Sequence, residues 1–185
     1  MAPDNISSIL QSRIPKIFPP GNFRQAAVLV PLQERQDGNH LILTQRAEGL
    51  NSHSGQVAFP GGSLEPGDAG PLEAALRESH EEVGIDPRHV RVLGHLDQVT
   101  AASDFLVTPI VGVIPYPYKF QLNPRETAAI FSVPVSILLE PNCMTVDPRP
   151  MNPRGPAYHF QYQDWDIWGA TAKMIKQLLE LAYGF

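Results

Sequence analysis

Apolar positions in this chain fall mostly into short runs of strand length, separated by turn residues, with helical spacing in only a few stretches. Residues 25–32 (QAAVLVPL) read as a buried strand. Asp37-Gly38 marks a turn into a second strand over 40–46. A short strand over 56–59 runs into Pro60-Gly61-Gly62, and further strands are expected over 90–99, 105–114, 127–133 and 157–163. A short helix is expected over 6–14, before the break at Pro15, Pro19, Pro20 and Gly21. A second helix over 71–82 should stop at Gly84, since glycine is favoured just past a helix end. A helical turn is expected over 135–139. A final amphipathic helix over 169–183 places Ile175, Leu178, Leu179 and Ala182 at helical spacing. Strands mixed with a few helices predict an α/β sandwich rather than a bundle or a barrel. The segment 148–156 (PRPMNPRGP) reads as a surface loop.

With 185 residues, the chain suits a single domain with a core at about 24–183 and a helical extension over 1–20. No apolar run approaches the roughly 18 residues needed to cross a bilayer. The first twenty residues lack a basic start followed by an apolar block, so no signal peptide is expected. The lone Cys143 excludes an internal disulfide and suits a reducing cytoplasm, where it reads as a small buried hydrophobe. The net charge is −5, which disfavours general nucleic-acid binding because phosphate neutralisation drives that binding. A small anionic substrate remains open if metal ions supply positive charge locally.

The stretch 61–85 (GGSLEPGDAGPLEAALRESHEEVGI) carries the candidate chemistry. On a helix advancing about 100° per residue, Glu81 lies near −60° and Glu82 near +40° from Glu78. Three carboxylates thus share one face, while Leu72, Leu76 and Val83 lie on another that should bind the sheet. Like charges at this spacing repel, so an ordinary acidic face is the plain alternative. Hard divalent cations such as Mg²⁺ or Mn²⁺ would change that balance, because they take oxygen ligands.

The stretch resembles the Nudix box. Gly62, Arg77-Glu78, Glu81-Glu82, Gly84 and Ile85 stand at its fixed positions, with two departures. The first acid is Asp68, separated from Arg77 by eight residues instead of seven, and Ser79 replaces an aliphatic residue. The resemblance implies a Nudix-type α/β/α sandwich with a mixed central sheet and a metal-dependent pyrophosphate hydrolase. It implies Glu78 and Glu82 as main ligands of Mg²⁺ or Mn²⁺, Glu81 as ligand or proton acceptor, and the Gly61 carbonyl as a further ligand. Arg77 would buttress a carboxylate, or alternatively pair with Glu73. Glu126, in a loop before a strand, is a second candidate for the base.

A second pattern, Leu43-Thr44-Gln45-Arg46-Ala47 followed by Gly55 and Phe59-Pro60-Gly61-Gly62, resembles the signature of the coenzyme A diphosphatase branch. Its inner Arg is replaced by Asn51, while His53 fits a Leu-x-x-His-x-Gly run common in that branch. The runs beginning at Phe105 and Ile167 are similar to the same branch. The resemblance implies hydrolysis of coenzyme A or a derivative to 3′,5′-ADP and 4′-phosphopantetheine. Arg46 would pair with a phosphate through its planar fork, with His53 or Gln56 donating nearby. Tyr116, Tyr118 and Phe120 are candidates for stacking on adenine, or for local packing. The alternatives are the same chemistry on ADP-ribose, NADH or a nucleoside triphosphate, and a non-catalytic ligand-sensing module. RNA decapping is disfavoured by the acidic balance. No membrane partner is expected, and a homodimer is implied as possible.

Overall fold

A computed structural model describes residues 1–47, 55–101, 104–147 and 156–185. The expectations for Asn51, His53 and most of the 148–156 loop therefore lie outside the described residues. The central sheet is built on β1 (Arg24–Arg35) and β2 (Gly38–Arg46), an antiparallel pair closed by the Asp37-Gly38 turn. The strand β3 (Val57–Ala58) pairs with the far end of β2, and β4 (Gly61–Ser63) with the first half of β1. Next come the helix α2 (Pro71–Val83), the strands β5 (Arg91–His95) and β6 (Val99–Ala101), and the long β7 (Phe105–Val113). β7 runs parallel to β1, with β5 and β6 antiparallel on its other side. The strand β8 (Thr127–Pro134) pairs with β2, so the sheet is mixed.

Side chains alternate along these strands, so each face needs its own cover. Ala27 and Leu29 of β1, Ile42 of β2 and Ile110 of β7 meet Ala74, Ala75 and Val83 of α2. Ala26, Val30 and Leu32 of β1, with Leu41, Leu43, Val107 and Val111, form the larger core on the opposite face. That core is covered by α4 (Gly169–Tyr183) through Met174, Ile175, Leu178 and Leu179. It is also covered by α1 (Pro3–Gln11) through Ile6 and Leu10. The expected α/β sandwich with a mixed central sheet is the observed architecture, helices packing on the sheet.

Several local expectations differ. The run 90–99 is two strands, because the chain leaves the sheet between His95 and Val99. A small second sheet joins β9 (Met144–Val146), β10 (Tyr158–Tyr162) and β11 (Trp165–Trp168), where only one strand was expected. The helical turn near 135–139 is α3 (Val135–Leu138). Leu72 does not bind α2 to the sheet, being 42% exposed. The buried face is instead centred on Ala75, Ser79 and Val83, whose short side chains let the helix lie close to the strands. Ser79 is fully buried and donates to the Ala75 carbonyl at 2.6 Å, which satisfies its hydroxyl without a partner from the sheet. Tyr118 packs against His89 and Phe120, and its hydroxyl accepts from the Asp86 N–H at 2.8 Å. Tyr116 lies over the Arg35 guanidinium. These aromatics are used locally.

The N-terminal segment is more than an extension. Gly94 leaves the space that α1 needs, since a Cβ there would stand 2.8 Å from the Leu10 Cβ. Removing the fully buried Ile6 side chain (Ile6→Ala) should therefore lower unfolding free energy by about 2–4 kcal/mol, as a core truncation does. Denaturant unfolding checks this, and an unchanged midpoint would show that α1 does not dock.

Candidate functional site

The box helix starts at Pro71, whose missing N–H costs nothing in a first turn, and ends at Gly84 in the left-handed conformation, φ 72°. Between them, α2 presents its carboxylates at the edge of β4. The register Val28↔Gly61, with Leu29 N–H donating to the Pro60 carbonyl at 2.9 Å, turns Gly61's own amide and carbonyl away from β1. The Gly61 N–H meets α2, donating to Glu82 Oε2 at 3.1 Å. Gly62 faces the same helix: a Cβ there would stand 2.4 Å from the Glu78 carboxyl carbon. Two glycines are needed because the backbone, not side chains, lines the carboxylates.

The three box glutamates divide by burial. Glu82 is 5% exposed, and the side chain of Glu78 is 16% exposed. That of Glu81 is 54% exposed and lies 3.5 Å from the same Arg77 Nη1 that binds Glu78. Glu81 therefore stands at the rim beside Glu78, because it lies farthest of the three from the buried face. Among the described residues, no three acidic, histidine or cysteine side chains are grouped so that they alone could hold a metal ion.

Desolvation by burial pushes the Glu82 carboxyl up to about 7, against relief from the Gly61 N–H and the Arg46 charge, and the neighbouring Glu78 and Glu126 push it further. Burial also raises Glu78, against relief from Arg77, with Glu81 and Glu126 adding repulsion. Glu126 therefore faces the same site from the loop before β8. Its side chain accepts from Asn123 Nδ2 at 3.1 Å, and its backbone carbonyl from the Ala47 N–H at 2.9 Å.

Arg77 does not pair with Glu73. Its Nε and Nη2 each donate to Asp68 at 3.0 Å, Nη1 donates to Glu78 at 2.9 Å, and Nη2 reaches the Ser63 carbonyl at 3.1 Å. Asp68, the displaced first acid of the box, thus anchors the arginine that holds Glu78. The extra residue before Arg77 is absorbed in the turn ahead of α2, where Asp68 also accepts from the Glu65 N–H at 2.8 Å. Sequence spacing hid this role; the signal was an acid preceding a proline-started helix.

Arg46 and Gln56 come together across the β2–β3 hairpin, Arg46 N–H donating to the Gln56 carbonyl at 3.0 Å. Arg46 Nη1 lies 3.8 Å from Glu82 Oε1, while its buried Nε has no hydrogen-bond partner among the described residues. Both residues, with Gly61 and Gly62, line a cavity of about 330 Å³ that opens on the α4 side of the glycine turn.

The arrangement fits a divalent cation. Its donors are hard oxygens, a glycine backbone passes close to them, and two buried like charges lack a full complement of positive partners. An incomplete cage suits Mg²⁺, which keeps water and takes substrate phosphate oxygens.

A profile of the NUDIX domain matches residues 23–151. The uncharacterized Nudix hydrolase NudL of Enterobacter sp. (strain 638) is 42% identical over 160 residues, covering 85% of this chain and 82% of that protein. NudL of Escherichia coli (strain K12) is 39% identical with the same coverage. Among solved structures, a Caenorhabditis elegans Ap4A hydrolase complex superposes with a TM-score of 0.53 at 20% identity, over 60% of this chain and 80% of that one. The Nudix hydrolase RenU of M. smegmatis gives 0.53 at 23% identity, over 64% and 77%. These structures share the fold.

Because folded Glu82 holds its proton to a higher pH than the unfolded chain, the metal-free protein should lose stability as pH rises from the ordinary carboxylate range through about 7. Glu82→Gln should remove most of that loss and raise the midpoint at pH 8. Thermal unfolding across pH in a chelator checks it; a variant less stable than wild type at pH 8 would contradict the assignment.

Proposed function

The chain belongs to the Nudix hydrolase superfamily, and from that premise we propose that it cleaves the pyrophosphate bond of coenzyme A or a derivative, giving 3′,5′-ADP and 4′-phosphopantetheine or its acyl form. The observation that carries the substrate choice is the place of Arg46. The two halves of the second signature, 43–47 and 55–62, lie far enough apart in sequence to need the β2–β3 hairpin to join them. That hairpin sets the Arg46 guanidinium beside Glu82 and in the lining of the cavity, where a side chain still 31% exposed can turn its outer nitrogens to a phosphate oxygen. Gln56 lies beside it as a further donor, and His53 belongs to the same proposed substrate set.

Bound Mg²⁺ or Mn²⁺ would neutralise the diphosphate and acidify a water. Glu78, Glu82 and the Gly61 carbonyl would hold the cation, with Glu81 contributing from the rim. Arg77 keeps the Glu78 carboxylate in place and is itself held by Asp68. Glu126 is the favoured proton acceptor, because it faces Glu78 and Glu82 and its carboxylate accepts from Asn123 Nδ2. Glu81, turned to Arg77, is the second candidate. Retention of all three box glutamates, Glu82 buried and Glu78 half-buried, weighs against a ligand-sensing module. ADP-ribose, NADH and nucleoside triphosphates are the competing substrates.

In a panel of these compounds with Mg²⁺ or Mn²⁺, coenzyme A should give the highest kcat/KM; a preference for another member overturns the substrate assignment alone. Glu126→Gln should lower kcat by about 10²–10⁴-fold, the usual worth of a general base, and abolish the acidic limb of its pH profile. Glu81→Gln should cost less. The reverse ranking in pH–rate profiles would transfer the base role to Glu81.

A further inference from the structure

The cavity beside the glycine turn lies on the opposite face of the sheet from α2. Its floor crosses four neighbouring strands: Gly61 pairs with Val28, Ala26 with Val107, and Phe105 with Ala101. Three strand spacings make that floor about 14 Å wide. Polar side chains line it at β2–β3 and β4, through Arg46, Gln56 and Ser63. Away from that end, Ala26, Val28, Ala101, Phe105, Val107 and Met174 offer no side-chain hydrogen-bonding group. Thr171 also lines the cavity, and its hydroxyl donates to the Val57 carbonyl at 3.1 Å, which ties α4 to β3. Trp168, Ala170 and Met174 complete the wall, Trp168 bringing an indole N–H, and all three lie beyond residues 23–151, where the domain profile ends.

We propose that this cavity is a subsite for the aliphatic group joined directly to the substrate's diphosphate, and that it selects a branched alkyl alcohol, as at the pantoyl end of pantetheine, over a ribose. The inference rests on the proposal that the diphosphate sits at the Glu78–Glu82–Gly61 edge. Gly61, Gly62 and Arg46 line the cavity, while the Gly61 N–H donates to Glu82 Oε2 at 3.1 Å and Arg46 Nη1 lies 3.8 Å from Glu82 Oε1, so the cavity begins at that edge. The group bonded to the phosphate is therefore the first to enter the cavity. Beyond the polar end, a ribose would bury hydroxyls against Val28, Val107 and Met174, whose side chains cannot pair with them, an unfavourable exchange. A gem-dimethyl carbon makes no such demand and gains contact with Val28, Val107 and Met174.

The test uses the full chain with ¹³C-methyl-labelled methionine. Of its four methionines, Met174 is the one that lines the cavity among the described residues. Neopentyl phosphate and ribose 5-phosphate, each titrated in Mg²⁺, present the same phosphate on different alcohols. The Met174 methyl resonance should shift at an about tenfold lower concentration of neopentyl phosphate, the scale of discrimination an apolar pocket provides. Ala170→Phe, which fills the wall, should weaken that binding and raise KM for coenzyme A more than it lowers kcat. Ala101→Leu, on the floor, makes the same test if the first variant does not fold. Equal response to both phosphates, or no response at Met174, overturns the subsite. If neopentyl phosphate shifts Met174 but coenzyme A is not cleaved, the subsite stands and the substrate assignment fails. If coenzyme A is cleaved but the two phosphates are not discriminated, the substrate assignment stands and the subsite fails.

Discussion

The buried carboxylate of Glu82 is the constraint on which the site depends. A charge with so little exposure needs partners, and the fold supplies only part of what it needs: one backbone N–H at 3.1 Å and one guanidinium at 3.8 Å. Glu78 and Glu126 add to the deficit rather than relieve it. Such a site is held in place by the surrounding packing, and a divalent cation would supply the positive charge it lacks. Local instability at neutral pH is the counterpart of affinity for positive charge.

The supports around it follow from that demand. Arg77 is committed to Asp68 and Ser63 as well as to Glu78, so it orients a carboxylate without neutralising the whole cluster. Ala74, Ala75 and Ser79 bring α2 close to the sheet, and Gly61 and Gly62 let backbone stand where side chains would collide. Gly61 and Gly62 also line the cavity on the other face, so one short glycine strand borders both the carboxylates and the cavity.

Much of the fold was legible in the chain because its signals are local. The extent of α4 follows from apolar spacing, and the end of α2 follows from a glycine in the left-handed region. The runs of β1, β2, β7 and β8 are apolar enough to read as strands at nearly their observed extents. The second sheet was less visible: β9 and β11 are short, half-exposed and stabilised by pairing with β10 rather than by their own pattern. The docking of α1 was also hidden, since Ile6 and Leu10 reveal their burial only once Gly94 and α4 are beside them.

By itself, the sequence determined which residues carry charge and which helix presents them, because helical angle and motif spacing are properties of neighbours along the chain. Tertiary structure decided how those residues differ. Glu82 is buried and Glu81 is not, although they are adjacent, because the sheet covers one side of α2 only. Asp68 reaches Arg77 despite its shifted spacing, since the turn ahead of α2 brings it back alongside the helix. Glu126 gains its place opposite the pair from the pairing of β8 with β2, a contact between residues more than eighty positions apart. Burial and long-range pairing arise only when distant segments exclude water together, and no local pattern encodes that.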